Sequence, residues 1–395
     1  MESSNPEHFF ETDTQQAKRQ QRAKKEENAF GNPLRMSSKV LAVIPDPKRP
    51  QTAVYTAESG GRVSRVDVET RTTTAKYTGP STPVTCLATT STTLFAGTWD
   101  KSIWSWDLAT RKPGLRYDGH SDFVKAVVAA RLGSKEILIS GGADKKIIVW
   151  DVETGRKLHT LVDASSSSGG MMSLQSLAVD PVLSTGDEVV VVSASSDPFI
   201  RRWKVSAAGY SQLPVQTNPG VEEKLTIQEH ETSVYKVVFD VTGEDVDLWT
   251  ASADGTAKCL LREKNFTAED VFEHGDFVRA IALTDEWVVT GGISQVINIW
   301  DRTSGKLHAA IDAHFDEITD LVVLRDPTRR SDVLCSVGID CTLRTWPLDK
   351  KGLEGVVEEI RAAADGVQKK DEEKEEENLM TAEEEAELAA LLEDD

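Results

Sequence analysis

A pattern running from Gly119 to Asp151 returns along most of this chain and leaves few folds open to it. It starts with Gly119-His120, passes through an apolar run from Phe123 to Ala130 and continues into Ile137-Leu138-Ile139-Ser140. It turns at Gly142-Ala143-Asp144 and ends on Ile147-Ile148-Val149-Trp150-Asp151. Three short β-rich runs separated by Gly, Asp and Lys read as an antiparallel meander. One meander leaves a face of each strand uncovered, so it needs copies of itself stacked alongside.

The copies follow a common ruler. A Trp lies six residues after Asp144 and a small hydroxyl four before it, and the same step joins Asp100 to Trp106, Asp197 to Trp203 and Asp340 to Trp346. Two copies are degenerate: Asp254 leads to Leu260, and Trp300 is preceded by Ser294. A seventh places Gly60 at the turn and Val66-Asp67 at the close. The closing positions are 66, 106, 150, 203, 260, 300 and 346, at intervals of 40 to 57 residues. A period near the forties with a Gly-His opening and a Trp-Asp close resembles the WD-repeat family, over residues 38 to 349. The resemblance implies an all-β fold, a seven-bladed β-propeller whose core is shared between neighbouring blades.

It also implies a role for the recurring polar residues. In the family the opening His, the strand hydroxyl, the turn Asp and the closing Trp form a buried hydrogen-bonded set in each blade. Carried over, one set is His120, Ser140, Asp144 and Trp150, and another is His314, Ser336, Asp340 and Trp346. Blade five keeps His230, Thr250 and Asp254 without the Trp; blade six keeps His274, Thr290 and Trp300 without the Asp. Blade four has Ser193, Asp197 and Trp203 with no matching His, and blade two has Asp100 and Trp106 with Pro80 and Ala96 elsewhere. A His beside an Asp and a Ser also suits a catalytic triad. Recurrence of the trio at the blade period favours a structural network instead.

The segments outside the repeats divide the chain into 1–29, a polar and basic arm, helical or disordered; 30–350, the propeller; 351–370, a helical linker; and 371–395, an acidic tail. The arm holds Lys18, Arg19, Arg22, Lys24 and Lys25 and shows no apolar stripe to anchor it; the cluster suits a nuclear-localisation or nucleic-acid patch, but Glu26 and Glu27 dilute it and favour a solvated charge run. In the family one chain end supplies the outer strand of the last blade. After Trp346 the chain turns at Gly352 into a helical pattern of Leu353, Val356, Val357 and Ile360, so the segment from Phe30 to Met36 is the candidate for that strand. The insertions Asp163 to Met172 and Ala207 to Glu223, rich in Ser, Gly and Pro, read as surface loops. The tail has thirteen acidic residues and one Lys, which makes it responsible for twelve of the chain's net twenty negative charges. Within it Thr381 and Glu384 form a capping box ahead of Leu388, Leu391 and Leu392, a short amphipathic helix suited to docking on a partner, to docking back on its own propeller or to solubilising the chain.

The four cysteines show no metal-type spacing, and no run reaches the length of a membrane span. Reduced thiols and the absence of an apolar leader suit a cytoplasmic or nuclear protein. Phosphate loops and zinc spacings are missing, and the acidic balance opposes nucleic-acid binding. No cofactor, metal site or catalytic residue is expected. None of the Trp-Asp pairs at 106, 150 and 300 is followed by any residue and then Arg or Lys, the box by which WD-repeat receptors of cullin ligases are known.

The expected function is therefore a non-catalytic protein-interaction scaffold or adaptor, a monomeric propeller within a hetero-complex. In the family the His and turn-Asp loops share one rim. The third and fifth residues after each His are then Phe123 and Lys125, Ser233 and Tyr235, Phe277 and Arg279, and Glu317 and Thr319. With Trp99 beside its turn Asp, the candidate partner-binding set is Trp99, Phe123, Lys125, Tyr235, Phe277 and Arg279, with Leu388, Leu391 and Leu392 in the tail. The alternative is an escort chaperone for a basic client such as a histone or ribosomal protein, shielded by the acidic tail.

Overall fold

A computed structural model describes residues 22, 23, 25–163, 170–215, 224–242, 245–325 and 332–363. Their strands run from β1 (Leu34–Arg35) to β29 (Thr342–Pro347) and fall into seven antiparallel sheets. Each sheet is a meander that starts on an inner strand: β2 (Val40–Pro45), β6 (Val84–Thr89), β10 (Val124–Leu132), β14 (Leu174–Val179), β19 (Val234–Phe239), β23 (Val278–Leu283) and β27 (Ile318–Leu324). The protein is a seven-bladed β-propeller with a helix over residues 350–363. In blade four a short strand, β18 (Thr226–Gln228), adds to β16 (Phe199–Ser206) beyond the regular outer strand.

Burial follows the interfaces between blades. Seven apolar clusters each join one blade to the next, and the cluster holding Val40, Val54 and Val66 with Cys335, Val337 and Leu343 joins blade seven to blade one. Each closing residue faces the preceding blade. Trp150 packs with Phe95 and Tyr117 of blade two, and Trp203 with Ile137 and Val149 of blade three. Where Trp is lost, Leu260 shares its cluster with Phe239 and Phe266, and Val66 sits among valines and leucines. A blade is therefore stable only between neighbours.

The ring closes through the N-terminal side. β1 pairs with β29, Leu34 opposite Leu343 and Arg35 opposite Thr342, which places it within the 30–36 segment singled out for this strand. The sequence repeat is thus offset by one strand from the structural blade. The arm, which reads as helical or disordered with no apolar stripe to anchor it, is helical at 22, 23, 25 and 26, and its described end is held by polar groups. Arg22 pairs with Asp316, Lys25 with Asp312, and Asn28 donates Nδ2–H to the Ala313 carbonyl at 2.9 Å. The buried guanidinium of Arg344 donates through Nη1 to Asn28 Oδ1 at 2.6 Å and to the Phe30 carbonyl at 2.7 Å. Gly31, at φ 67°, passes so close to the Trp346 indole that a Cβ would lie 2.5 Å from its Cη2. The segment expected as a linker is a packed helix in its described part. Leu353 is fully buried against the cluster of blades six and seven, with Val356, Val357 and Ile360 beside it.

A channel mouth with aromatic flanks

The site begins with a backbone irregularity. In all seven blades the pairing of the inner strand with its neighbour skips one residue: Leu41, Thr85, Lys125, Gln175, Tyr235, Arg279 and Thr319. A β-bulge leaves its extra residue unpaired and redirects its side chain. All seven line one cavity of about 320 Å³ at the propeller axis, together with Trp99, Glu317, Lys236 and Asp320. The residue two before each bulge accepts a backbone bond from the facing turn, as Phe123 does from Ala143 at 2.7 Å and Phe277 from Ile293 at 3.2 Å. The same tie runs from Trp99 N–H to Pro83 at 3.1 Å, and it fixes the rim at which these side chains stand.

Of the candidate residues, Trp99, Lys125, Tyr235 and Arg279 line the cavity, whereas Phe123 and Phe277 stand beside it in the chain without lining it. Trp99, 44% exposed, stacks on Phe123 with ring centroids 4.8 Å apart. Arg279 lies over the Tyr235 ring at 4.3 Å and pairs with Glu317. Phe277 is 45% exposed. Lys125 Nζ lies 3.3 Å from Gln175 Oε1; burial first and then Arg279 push this ammonium below its usual pKa. The candidates Leu388, Leu391 and Leu392 lie outside the described residues.

Below the rim the blade networks occupy their own polar groups. His120 is hydrogen-bonded to Asp144 at 2.9 Å and to Ser140 at 2.8 Å, and Trp150 Nε1–H donates to Ser140 at 2.8 Å. In blade seven the matching distances are 2.7 Å to Asp340, 2.7 Å to Ser336 and 2.9 Å from Trp346. Ser140 and Ser336 are fully buried, so neither hydroxyl can meet a substrate. In blade six the His ring is reversed, with Nδ1 2.9 Å from Thr290 and Nε2 2.7 Å from Ser294, which takes the place of the Asp.

Several charged groups escaped the sequence reading because their partners are distant in the chain. Arg201, fully buried, replaces the missing His of blade four and donates to Asp163 at 2.8 Å and Asp197 at 3.1 Å. Its one local signal is the i,i+4 step from Asp197. In blade one the buried Glu58 substitutes for the turn Asp, accepting from Ser37 at 2.6 Å and from Ser64. Lys236 of blade five reaches Asp320 of blade seven at 2.9 Å, and Asp320 also accepts the Val43 N–H of blade one at 3.1 Å.

The network makes a prediction about acid. Burial alone would raise the Asp340 carboxyl, but hydrogen bonds from His314 and Thr342 outweigh it and hold the group below the usual carboxylate range. Its contribution is then present above the unfolded pKa of about 4 and lost as pH falls toward the folded value. Asp340→Asn should cost about 1 to 3 kcal/mol at neutral pH, and its gap from the parent should narrow below about pH 4. Denaturant unfolding at both pH values checks this; a gap independent of pH would count against it.

Comparison with known proteins agrees with this architecture. A family model described as WD domain, G-beta repeat, matches residues 71–107 and 111–151. A WD repeat-containing protein of Schizosaccharomyces pombe is 27% identical over 408 aligned positions that span the whole of both chains. The chain is similar to WD-repeat proteins, over its whole length in the Schizosaccharomyces pombe relative. Shorter stretches of this propeller resemble pre-mRNA-processing factor 19 homolog 2 of Arabidopsis thaliana, 26% identical over 48% of this chain and 32% of that one. They also resemble the small ribosomal subunit protein RACK1 of Drosophila melanogaster, 35% identical over 16% and 19%. The chain therefore spans about a third or less of the length of these two relatives. Each match to the family model starts one strand before the blade whose Trp-Asp it ends on, the offset seen at the ring closure. Among the described residues of this protein, no helix is long and apolar enough to cross a membrane.

Proposed function

We propose that this protein is a non-catalytic interaction scaffold that gathers protein partners on the rim around the channel mouth. The observation behind this reading is the pairing of exposed aromatic surface with a polar cavity. Trp99 and Phe277 are each nearly half exposed, while the cavity beside Trp99 is lined by Lys125, Tyr235 and Arg279. Rigid aromatic surface flanking charged groups is the usual composition of interface anchors. WD-repeat propellers generally mediate protein–protein contacts, and relatives in the comparison include a pre-mRNA-processing factor and a ribosomal subunit protein.

The test removes the exposed rings and spares their supports, because Phe123 props Trp99 and Arg279 is braced by Glu317 and Tyr235. Trp99→Ala with Phe277→Ala should weaken the principal partner by about 2 kcal/mol or more in total, with the melting temperature unchanged. Affinity purification of the intact chain and the double variant, quantified by mass spectrometry, compares the two. Full recovery of every partner by a variant that melts with the parent would move the search to the tail.

A further inference from the structure

The cavity at the channel mouth holds five charged side chains, and four of them are matched. Lys236 pairs with Asp320 at 2.9 Å and Arg279 pairs with Glu317. The fifth, Lys125, takes part in no ion pair among the described residues and has one acceptor, the Gln175 amide oxygen at 3.3 Å. The nearest acid in sequence, Asp122, forms no ion pair with it: Oδ1 accepts the Phe123 N–H at 2.8 Å, and its charge acts on the ammonium only at a distance, favouring the charged form. A chain of net charge −20 thus places a cation without an ion-pair partner inside a cavity of about 320 Å³.

We propose that this cavity takes the carboxylate of an Asp or Glu side chain from a partner peptide, with the neighbouring peptide residue resting on Trp99. The inference rests on the reading of this rim as the partner surface and names the chemistry that surface selects. A basic side chain fits less well, since Glu317 and Asp320 are already engaged and would have to release Arg279 or Lys236. A phosphate fits less well too. It is recognised best by a free guanidinium fork or by several cations, and the charge of Arg279 is already paired through Nε with Glu317. The overall acidity of the chain opposes acidic partners at long range, but that field is screened over about 8 Å at physiological salt, whereas Lys125 acts at contact. The ring beside the cavity supplies the apolar half: Trp99 lines the cavity and is stacked from behind by Phe123.

Selection of a displayed library of random twelve-residue peptides against the full chain tests the idea and needs no identified partner. Clones that lose binding to Trp99→Ala define the rim. Among them Asp or Glu beside an apolar residue should dominate, and a synthetic peptide of that sequence should bind Lys125→Met at least about ten-fold more weakly. Lys125→Glu should select Lys or Arg at the same peptide position. Melting temperatures of both variants accompany the assay, and Lys125→Met serves alone where Lys125→Glu does not fold. Rim-dependent clones that lack acids, or that bind Lys125→Met as tightly as the parent, overturn the proposal and leave the rim itself standing. Tighter binding of a phosphoserine peptide than of its Glu counterpart overturns the choice of a carboxylate. If no clone depends on Trp99 or Phe277, the rim is not a peptide site and both readings fail.

Discussion

A chain that starts at residue 37 is expected to lose about 3 to 5 kcal/mol of stability, the cost of leaving a buried charge without its partner. The truncation removes β1 and exposes the edge of β29, to which it is hydrogen-bonded. More costly is the fate of Arg344. Its guanidinium is buried, and two of its hydrogen bonds end on Asn28 and Phe30. Arg344→Leu in the truncated chain should restore part of the loss, because the guanidinium that has lost its partners is then gone, whereas in the full chain the same substitution should destabilise. Denaturant unfolding of the four proteins gives the coupling directly. Equal midpoints for the full and truncated chains would show that closure by this segment contributes nothing.

Arg201→Leu should be similarly damaging, again by about 3 to 5 kcal/mol, because it withdraws one cation from two nearly buried carboxylates. Arg201→Lys should fall between Leu and the parent: a single ammonium cannot span Asp163 and Asp197 as the guanidinium does. The measurement is again denaturant unfolding, with far-UV circular dichroism to establish that each variant folds. An Arg201→Leu chain that unfolds with the parent would mean that Asp163 and Asp197 are satisfied by other groups.

Both positions mark a boundary in what could be read from residues alone. The ring closure was legible within a few residues, since the helical pattern after Gly352 left blade seven without an outer strand and pointed to Phe30–Met36. Its polar anchoring was not. Asn28 is joined to Arg344 across 316 positions of sequence, and nothing in the composition of the arm announces an acceptor for a buried guanidinium. The rim was partly legible. Counting from His identified Lys125, Tyr235 and Arg279, but Phe123 and Phe277 proved to flank the cavity without lining it, and Lys236, Gln175 and Asp320 went unnoticed.

What the sequence alone determined is the repeating unit: the number of blades, the meander within each and the apolar positions that face a neighbour. These depend on spacings of a few residues and on a period, both preserved in linear order. What only the tertiary structure decided is how charge is distributed around the ring. Arg201 substitutes for a His and Glu58 for an Asp, because the folded blade packs them against polar groups that the repeat pattern does not name, and Lys236 crosses from blade five to blade seven because closing the ring brings it to Asp320. Desolvation then requires each buried charge to find a partner among whatever the closed ring places beside it. Lys125, at the open mouth, is the one charge lining that cavity that remains without an ion-pair partner among the described residues.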